Sequence, residues 1–242
     1  MIQKIAPFII VLAAATNVLA QTPETPKKAG RPDIPGTFVV EIGVNRGLDA
    51  PSKFSLGLWG SRTVNLYYQY DIPILKSKFS FVPGIGLSLE RFNFKGLRVL
   101  GYDAEDSLSL LTPANAGITG LKKSQLVTNF VELPLEFRYT SKPEDPARSF
   151  KVAVGGRIGY LYESFNKLKY KEEGDLIRVK DKQRFNLNEF RYGVSGKIGV
   201  GNFSLFGYYN LNNLFEDGKG LGEKGQIVDF PTFTVGISLS SF

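Results

Sequence analysis

The chain has 242 residues, a formal net charge of +7, and neither cysteine nor histidine. The missing residue types exclude Ser-His-Asp and Cys-His catalysis, histidine or thiolate metal ligation, and a lipid-modified N-terminal cysteine. With 43% hydrophobic residues and only one long apolar run, at the N-terminus, the chain fits a soluble β protein or a membrane β-barrel and not a helical membrane protein.

The first element along the chain is a targeting segment. Lys4 precedes an apolar stretch over residues 5–15, and Ala20 is the small residue that a signal-peptide cut requires. We therefore predict a signal peptide over residues 1–20, because the apolar run is short for an uncleaved anchor across roughly 30 Å of hydrocarbon. Residues 21–35 contain four prolines without apolar periodicity, which predicts a flexible tether before a folded domain over residues 36–242.

The folded domain alternates with period two. Apolar residues fall on one parity, and Gly, Ser, Asn and charged residues fall on the other. This pattern predicts eight strands, over residues 38–45, 58–71, 79–94, 128–139, 150–162, 190–200, 203–215 and 232–239. In the third strand, Phe92 and Phe94 change parity, which predicts a β-bulge.

The connections between these strands alternate between long and short, and the shortest is Gly201-Asn202. This alternation is typical of a barrel that crosses a bacterial outer membrane, with long loops outside and both chain ends in the periplasm. Aromatic residues cluster towards the strand ends, as they do at membrane interfaces. The alternative is a soluble secreted sandwich, in which the apolar parity would form the core.

The polar parity carries four acids and four bases. An eight-stranded barrel has an interior just wide enough for its side chains, so these charges must pair with one another. We therefore predict an all-β, eight-stranded antiparallel up-and-down transmembrane β-barrel with a filled polar lumen. The predicted network has a structural role, with a gated or proton-linked conduit as the alternative, and consists of Glu41, Glu90, Glu132, Glu136, Arg138, Arg157, Arg191 and Lys197.

Four short motifs are similar to the Bacteroidota-type outer-membrane β-barrel family that includes the PorT-like proteins. They are Pro-Gly-Ile-Gly-Leu at 83–87, Val-Glu-Leu-Pro-Leu at 131–135, Gly-Gly-Arg-Ile-Gly-Tyr at 155–160 and Phe-Gly-Tyr-Tyr at 206–209. The resemblance spans most of residues 36–242. It implies an eight-stranded barrel in an outer membrane, in a family where some members serve secretion machinery.

Three other patterns suggest ligands less strongly. Residues 220–225 fit G-x-G-x-x-G but lie in a predicted loop without a following helix, so we do not expect dinucleotide binding. One predicted loop tip carries Asp103, Glu105 and Asp106, whose oxygens could bind Ca²⁺. A solvated acidic loop tip is the simpler interpretation. Three cations alternate along another loop, at Lys167, Lys169 and Lys171. They favour either solubility or contact with lipopolysaccharide phosphates.

We therefore expect a non-enzymatic outer-membrane barrel without a cofactor or metal, acting as a structural or accessory subunit of a larger complex such as secretion or barrel-assembly machinery. Its expected partners are outer-membrane lipid or lipopolysaccharide and a membrane-protein complex. Nucleic acid is not expected, because the chain has no stacking platform in a continuous basic groove. The alternatives are a small-solute porin or transporter, and surface adhesion through the long loops, chiefly residues 95–124.

Overall fold

The computed structural model describes residues 36–50, 54, 56–57, 60–102, 108–223 and 226–241, so the predicted signal peptide and tether lie outside the described residues. In chain order the strands are β1 (Thr37–Gly47), β2 (Arg62–Gln69), β3 (Ile72–Pro73), β4 (Phe79–Asn93), β5 (Val99–Tyr102), β6 (Leu108–Leu111), β7 (Leu121–Thr140), β8 (Phe150–Glu172), β9 (Asp175–Asp181), β10 (Phe190–Val200), β11 (Phe203–Asn213), β12 (Leu221–Glu223), β13 (Gln226–Val228) and β14 (Pro231–Ser240). A 3₁₀ turn (Pro146–Arg148) precedes β8. Among the described residues, no helix has the length and apolarity needed to span a bilayer.

Eight of the strands form a closed antiparallel ring. Their order is β1, β2, β4, β7, β8, β10, β11 and β14, and β14 pairs back onto β1. Each strand pairs with its neighbours along the chain, as the alternation of long and short connections predicted. The closed ring has no free sheet edge, so the ladder hydrogen bonds continue around it.

The apolar parity faces outward around the ring. Phe190 and Val154 are 62% and 60% exposed, whereas the alternate positions point into a narrow interior. Aromatic rings pair at both rims of this apolar belt, with centroids 5.4 Å apart for Phe79 and Tyr139 at the short-turn end and 5.2 Å for Tyr160 and Phe190 at the long-loop end. No second sheet covers the apolar face in the described part of the chain, which fits a barrel in lipid and not a sandwich.

The strands extend further at the long-loop end than the sequence predicted. The fourth predicted strand begins at residue 128 and the fifth ends at residue 162, but β7 begins at Leu121 and β8 continues to Glu172. The β8 extension pairs with β9, and shorter hairpins form from β5 with β6 and from β12 with β13. The long connections are therefore partly built of strands.

The bulge predicted at Phe92 and Phe94 is wrong. The β4–β7 register runs without a shift to Asn93, and the irregularity lies instead between Asn129 and Phe130, where β7 pairs with β8. Both phenylalanines keep the inward parity, because the barrel interior changes from polar to apolar at this level. The apolar cluster there, called the cap core below, comprises Phe54, Leu56, Phe92, Phe94, Leu100, Leu108, Leu110, Leu126, Phe130, Leu161, Phe185, Leu187, Phe215, Leu221 and Phe230.

Candidate functional site: the charged lumen

The register places four of the eight lumen charges across from glycines. Glu132 lies opposite Gly86 on β4 and Gly159 on β8, and Arg157 lies opposite Gly193 on β10. An inward glycine leaves space for a long side chain from the neighbouring strand, which a narrow barrel otherwise lacks. Strand pairing thus explains why glycine and charge share the inward parity in this sequence.

The charges nearer the short-turn end form a chain of ion pairs. Glu41 on β1 accepts from Arg157 at 3.0 Å and from Lys197 at 2.9 Å, and Lys197 also reaches Glu136 at 2.6 Å. The side chains of Glu41 and Arg157 are 0% and 1% exposed. Because an unpaired charge at such depth is costly, each member depends on its partners.

A second group lies nearer the long-loop end. Arg191 on β10 pairs with Glu90 at 2.8 Å and with Glu132 at 2.7 Å. The Tyr67 hydroxyl joins the two groups, since it donates to Glu132 and accepts from Arg157 at 3.1 Å. The lumen is therefore one connected polar network and not a set of separate pairs.

Aromatic rings fill the space around the two buried guanidinium groups. The Arg157 guanidinium lies 4.9 Å from the ring centre of Tyr208 and 5.5 Å from that of Phe206. The Arg191 guanidinium lies 3.8 Å from the ring centre of Phe130, a member of the cap core. These cation–π contacts let bulky rings close the lumen without leaving the arginines in an apolar environment.

Arg138 lies at the mouth of the short-turn end and is 17% exposed at its side chain. It pairs with Asp71 at 3.1 Å and Glu136 at 3.4 Å, and it donates to Gln69 at 3.2 Å. The structure thus brings all eight predicted charges into one network. From the sequence we assigned no role to Asp71 or to five polar residues that the alternation placed on the inward face. These five are Asn65, Tyr67, Gln69, Ser88 and Tyr208. Alternation shows which face a residue takes, but it does not show which side chains come into contact.

Little open space remains within the network. A cavity of about 30 Å³ lies among Arg138, Lys151 and Lys197, a volume that one or two water molecules would occupy. Beyond it, towards the short-turn end, a wider vestibule of about 460 Å³ is lined by residues that include Asp71 and Arg138. At the other end the cap core lies across the barrel.

The weaker ligand patterns do not add a site. Asp103, Glu105 and Asp106 lie outside the described residues. The strand over Leu221–Glu223 leads into a second strand and not into the helix that phosphate binding requires. Within the described ranges, no cluster of three or more acidic residues is arranged to hold a metal ion.

A closed ring of eight antiparallel strands with an apolar outer belt, two aromatic rims and a polar interior defines a transmembrane β-barrel of the outer-membrane type. A comparison with protein families agrees, since residues 36–216 match the outer membrane protein beta-barrel domain. The chain belongs to this family, and its location is the bacterial outer membrane.

The solved structures to which the chain is similar have low sequence identity to it. Ail, the attachment invasion locus protein of Yersinia pestis, solved with the heparin analogue sucrose octasulfate, is 12% identical (TM-score 0.30, covering 85% of this chain and 99% of that chain). The N-terminal β-barrel domain of Pseudomonas aeruginosa OprF is 9% identical (TM-score 0.27, covering 86% and 98%). A porin of Rhodopseudomonas blastica is 9% identical (TM-score 0.18, covering 85% and 98%). No curated protein sequence matches the chain.

Proposed function

We propose that this barrel is a non-enzymatic structural or accessory subunit of a larger outer-membrane complex, such as secretion or barrel-assembly machinery. The observation that carries the proposal is the closed interior: paired charges fill the lumen and the cap core lies across its long-loop end. The outer wall and the long loops are then the surfaces through which the protein acts.

The proposed orientation places the long loops outside the cell and the short turns in the periplasm. It is supported by the hairpins at the long-loop end and by the two-residue turn between β10 and β11, since outer-membrane barrels have short periplasmic turns. The start of β1 and the end of β14 would then both lie on the periplasmic side.

Solute transport is less favoured by this geometry. A porin interior needs more strands or a lumen free of bulky side chains, whereas the buried Arg157 and Arg191 occupy the centre of this ring. We expect the purified protein in a planar bilayer to show no stable ionic conductance. Stepwise conductance, present in the wild type and altered by Arg157→Leu, would favour the porin alternative.

Catalysis is not part of the proposal either. The chain has no histidine or cysteine, and the carboxylates and cations of the lumen neutralise one another in ion pairs. A general acid or base must reach its substrate, and the carboxylates of the lumen network are buried.

Surface adhesion is a second candidate, favoured by the shape of the long-loop end. The β8–β9 hairpin projects beyond the ring and exposes Leu176 and Val179 at 44% and 38%. Exposed apolar side chains on an ordered hairpin are suited to contact with another macromolecule.

Co-purification separates these two functions. An affinity tag within the predicted tether, residues 21–35, leaves the barrel unaltered and permits gentle detergent extraction from the native membrane, followed by mass spectrometry. We expect a defined membrane-protein partner at stoichiometric amounts. Recovery of the barrel alone, together with binding to cells or matrix, would contradict the accessory role and favour adhesion.

A matched variant distinguishes the loops from the wall as the interface. Replacing residues 170–177 by Asn-Gly shortens the β8–β9 hairpin, removes only the last three residues of β8 and leaves the other ring strands intact. Loss of the partner from this variant would place the interface on the hairpin, and its retention would place the interface on the wall or on another loop.

A further inference from the structure

A group of cations lies on the outward face of the sheet just beyond the apolar belt, at the long-loop end. The group, called the basic patch, consists of Arg62, Arg91, Lys123, Lys167, Lys169 and Arg178. Lys169 is half-buried and the other five are exposed. None of them forms an ion pair with a carboxylate in the part of the chain that the structure describes.

The strand register sets these like charges directly opposite one another. Arg62 on β2 faces Arg91 on β4, and Lys123 on β7 faces Lys169 on β8, which in turn faces Arg178 on β9. Like charges in facing positions destabilise a sheet. Partial desolvation and the neighbouring cations of the patch accordingly lower the pKa of Lys123. An anion seated between these strands would remove the repulsion.

The patch is concave. Lys123, Lys167, Lys169 and Arg178 line a cavity of about 200 Å³ together with the amide of Gln125. Ammonium and guanidinium groups that converge on one cavity are suited to phosphate oxygens, and an amide can both donate to and accept from a sugar hydroxyl. The chemistry of the cavity therefore fits a phosphorylated sugar.

The patch is continuous with the membrane-facing wall. On β2 and β4 the arginines occupy the next outward positions after apolar ones, so that Arg62 follows Leu66 and Val64, and Arg91 follows Leu87 and Leu89. The first cations therefore lie where the apolar belt ends, at the level of lipid headgroups. An acyl chain would extend from this level down the apolar wall.

On the ring strands, the outward-facing cations at this level lie on β1, β2, β4, β7 and β8, and they include Arg46 of β1. Strands β11 and β14 contain no lysine or arginine, and Arg191 and Lys197 of β10 point into the lumen. The exposed loop cations beside β10 and β11, Arg184 and Lys219, pair with Glu189 and Glu216, whereas the patch cations have no such partner among the described residues. A general need for solubility does not explain this difference.

We propose that the basic patch binds the phosphorylated sugar headgroup of a glycolipid of the outer leaflet, the lipopolysaccharide class, and holds one lipid against the β4–β7–β8 wall. The proposal uses the orientation given above but does not depend on the subunit role. A soluble polyanion would not require the continuity between the cations and the apolar belt, and this is why the lipid is favoured.

Native mass spectrometry of the full barrel in detergent tests this, with lipopolysaccharide lipid A carrying both phosphates as the probe. The patch variant is Lys123→Gln/Lys167→Gln/Lys169→Gln/Arg178→Gln. The control removes the same charge at exposed short-turn positions, as Lys76→Gln/Lys78→Gln/Lys142→Gln/Arg148→Gln. Each cation near an anionic lipid contributes about fivefold to affinity. We expect the patch variant to lose roughly a hundredfold or more and the control to bind as the wild type does.

Three outcomes would overturn the proposal. These are equal lipid binding by the patch variant and the control, equal binding of dephosphorylated lipid A, and tighter binding of a soluble sulfated polysaccharide than of the lipid. Heat-modifiable migration on gels verifies that each variant is folded, and Arg62→Gln/Arg91→Gln provides a second variant if the fourfold change does not fold. Normal lipid binding without a co-purifying partner would count against the subunit role alone.

Discussion

Removing Arg157 tests whether the lumen network stabilises the barrel. In Arg157→Leu, Glu41 loses an ion pair of 3.0 Å and Tyr67 loses a hydrogen bond of 3.1 Å. Breaking a buried pair by removing one partner costs about 3–5 kcal/mol. Because Lys197 still holds Glu41 at 2.9 Å, we expect the lower end, a loss of about 3 kcal/mol in the free energy of unfolding.

The assay is reversible urea unfolding in detergent micelles, followed by circular dichroism. Glu41→Gln/Arg157→Leu should lose less than the sum of the two single variants, with a coupling of about 2 kcal/mol, because it leaves no unpaired carboxylate at Glu41. Arg148→Leu is the control, since this side chain is 86% exposed and should change stability by less than about 0.5 kcal/mol. Wild-type stability in Arg157→Leu, or strictly additive effects, would refute the argument that the network is needed.

Three further predictions concern other parts of the molecule. Phe230→Ala should cost about 3–4 kcal/mol, because its buried ring packs 4.7 Å from that of Phe54, and limited proteolysis should then cut the long loops faster while the ring strands persist. Gly193→Ala should lower stability by about 3 kcal/mol in the same urea assay, since a Cβ there would clash with the backbone carbonyl oxygen of Tyr209 and lie 2.8 Å from the Tyr208 ring; an unchanged midpoint would contradict this. The lowered pKa of Lys123 reflects a disfavoured charged form, so a bound phosphate should raise this pKa, and lipid affinity should fall as the pH rises through it. NMR titration of the lysine with and without lipid A measures the pKa, and parallel binding measurements give the affinity. A pKa that lipid A does not change would contradict the anion site.

Local patterns in the sequence were sufficient to predict the class of fold. Alternation has a period of two residues, so each run reveals its inward and outward faces without reference to any other run. For this reason the eight ring strands, the outward apolar belt and the inward parity of Glu41, Arg157 and their partners could be predicted. The alternation of short and long connections likewise follows from the chain alone.

Other features depend on which strands become neighbours. The ion pair of Arg157 with Glu41 joins β8 to β1, and no spacing in the sequence indicates that two such distant strands face each other across a lumen. The same reason explains the error at Phe92 and Phe94. Their apolar character suggested a change of face, whereas the fold keeps the face and surrounds them with the cap core.

The basic patch shows the division most clearly. The sequence marked Lys167, Lys169 and Lys171 as an alternating run within one loop. In the structure, Lys171 lies opposite Leu176 on the hairpin beyond the patch, and the first two lysines are joined by cations from β2, β4, β7 and β9. Side-chain alternation is fixed by the local backbone, but register and closure are set by packing of the whole ring. The sequence by itself therefore determined which face each residue takes, and only the tertiary structure decided which charges meet.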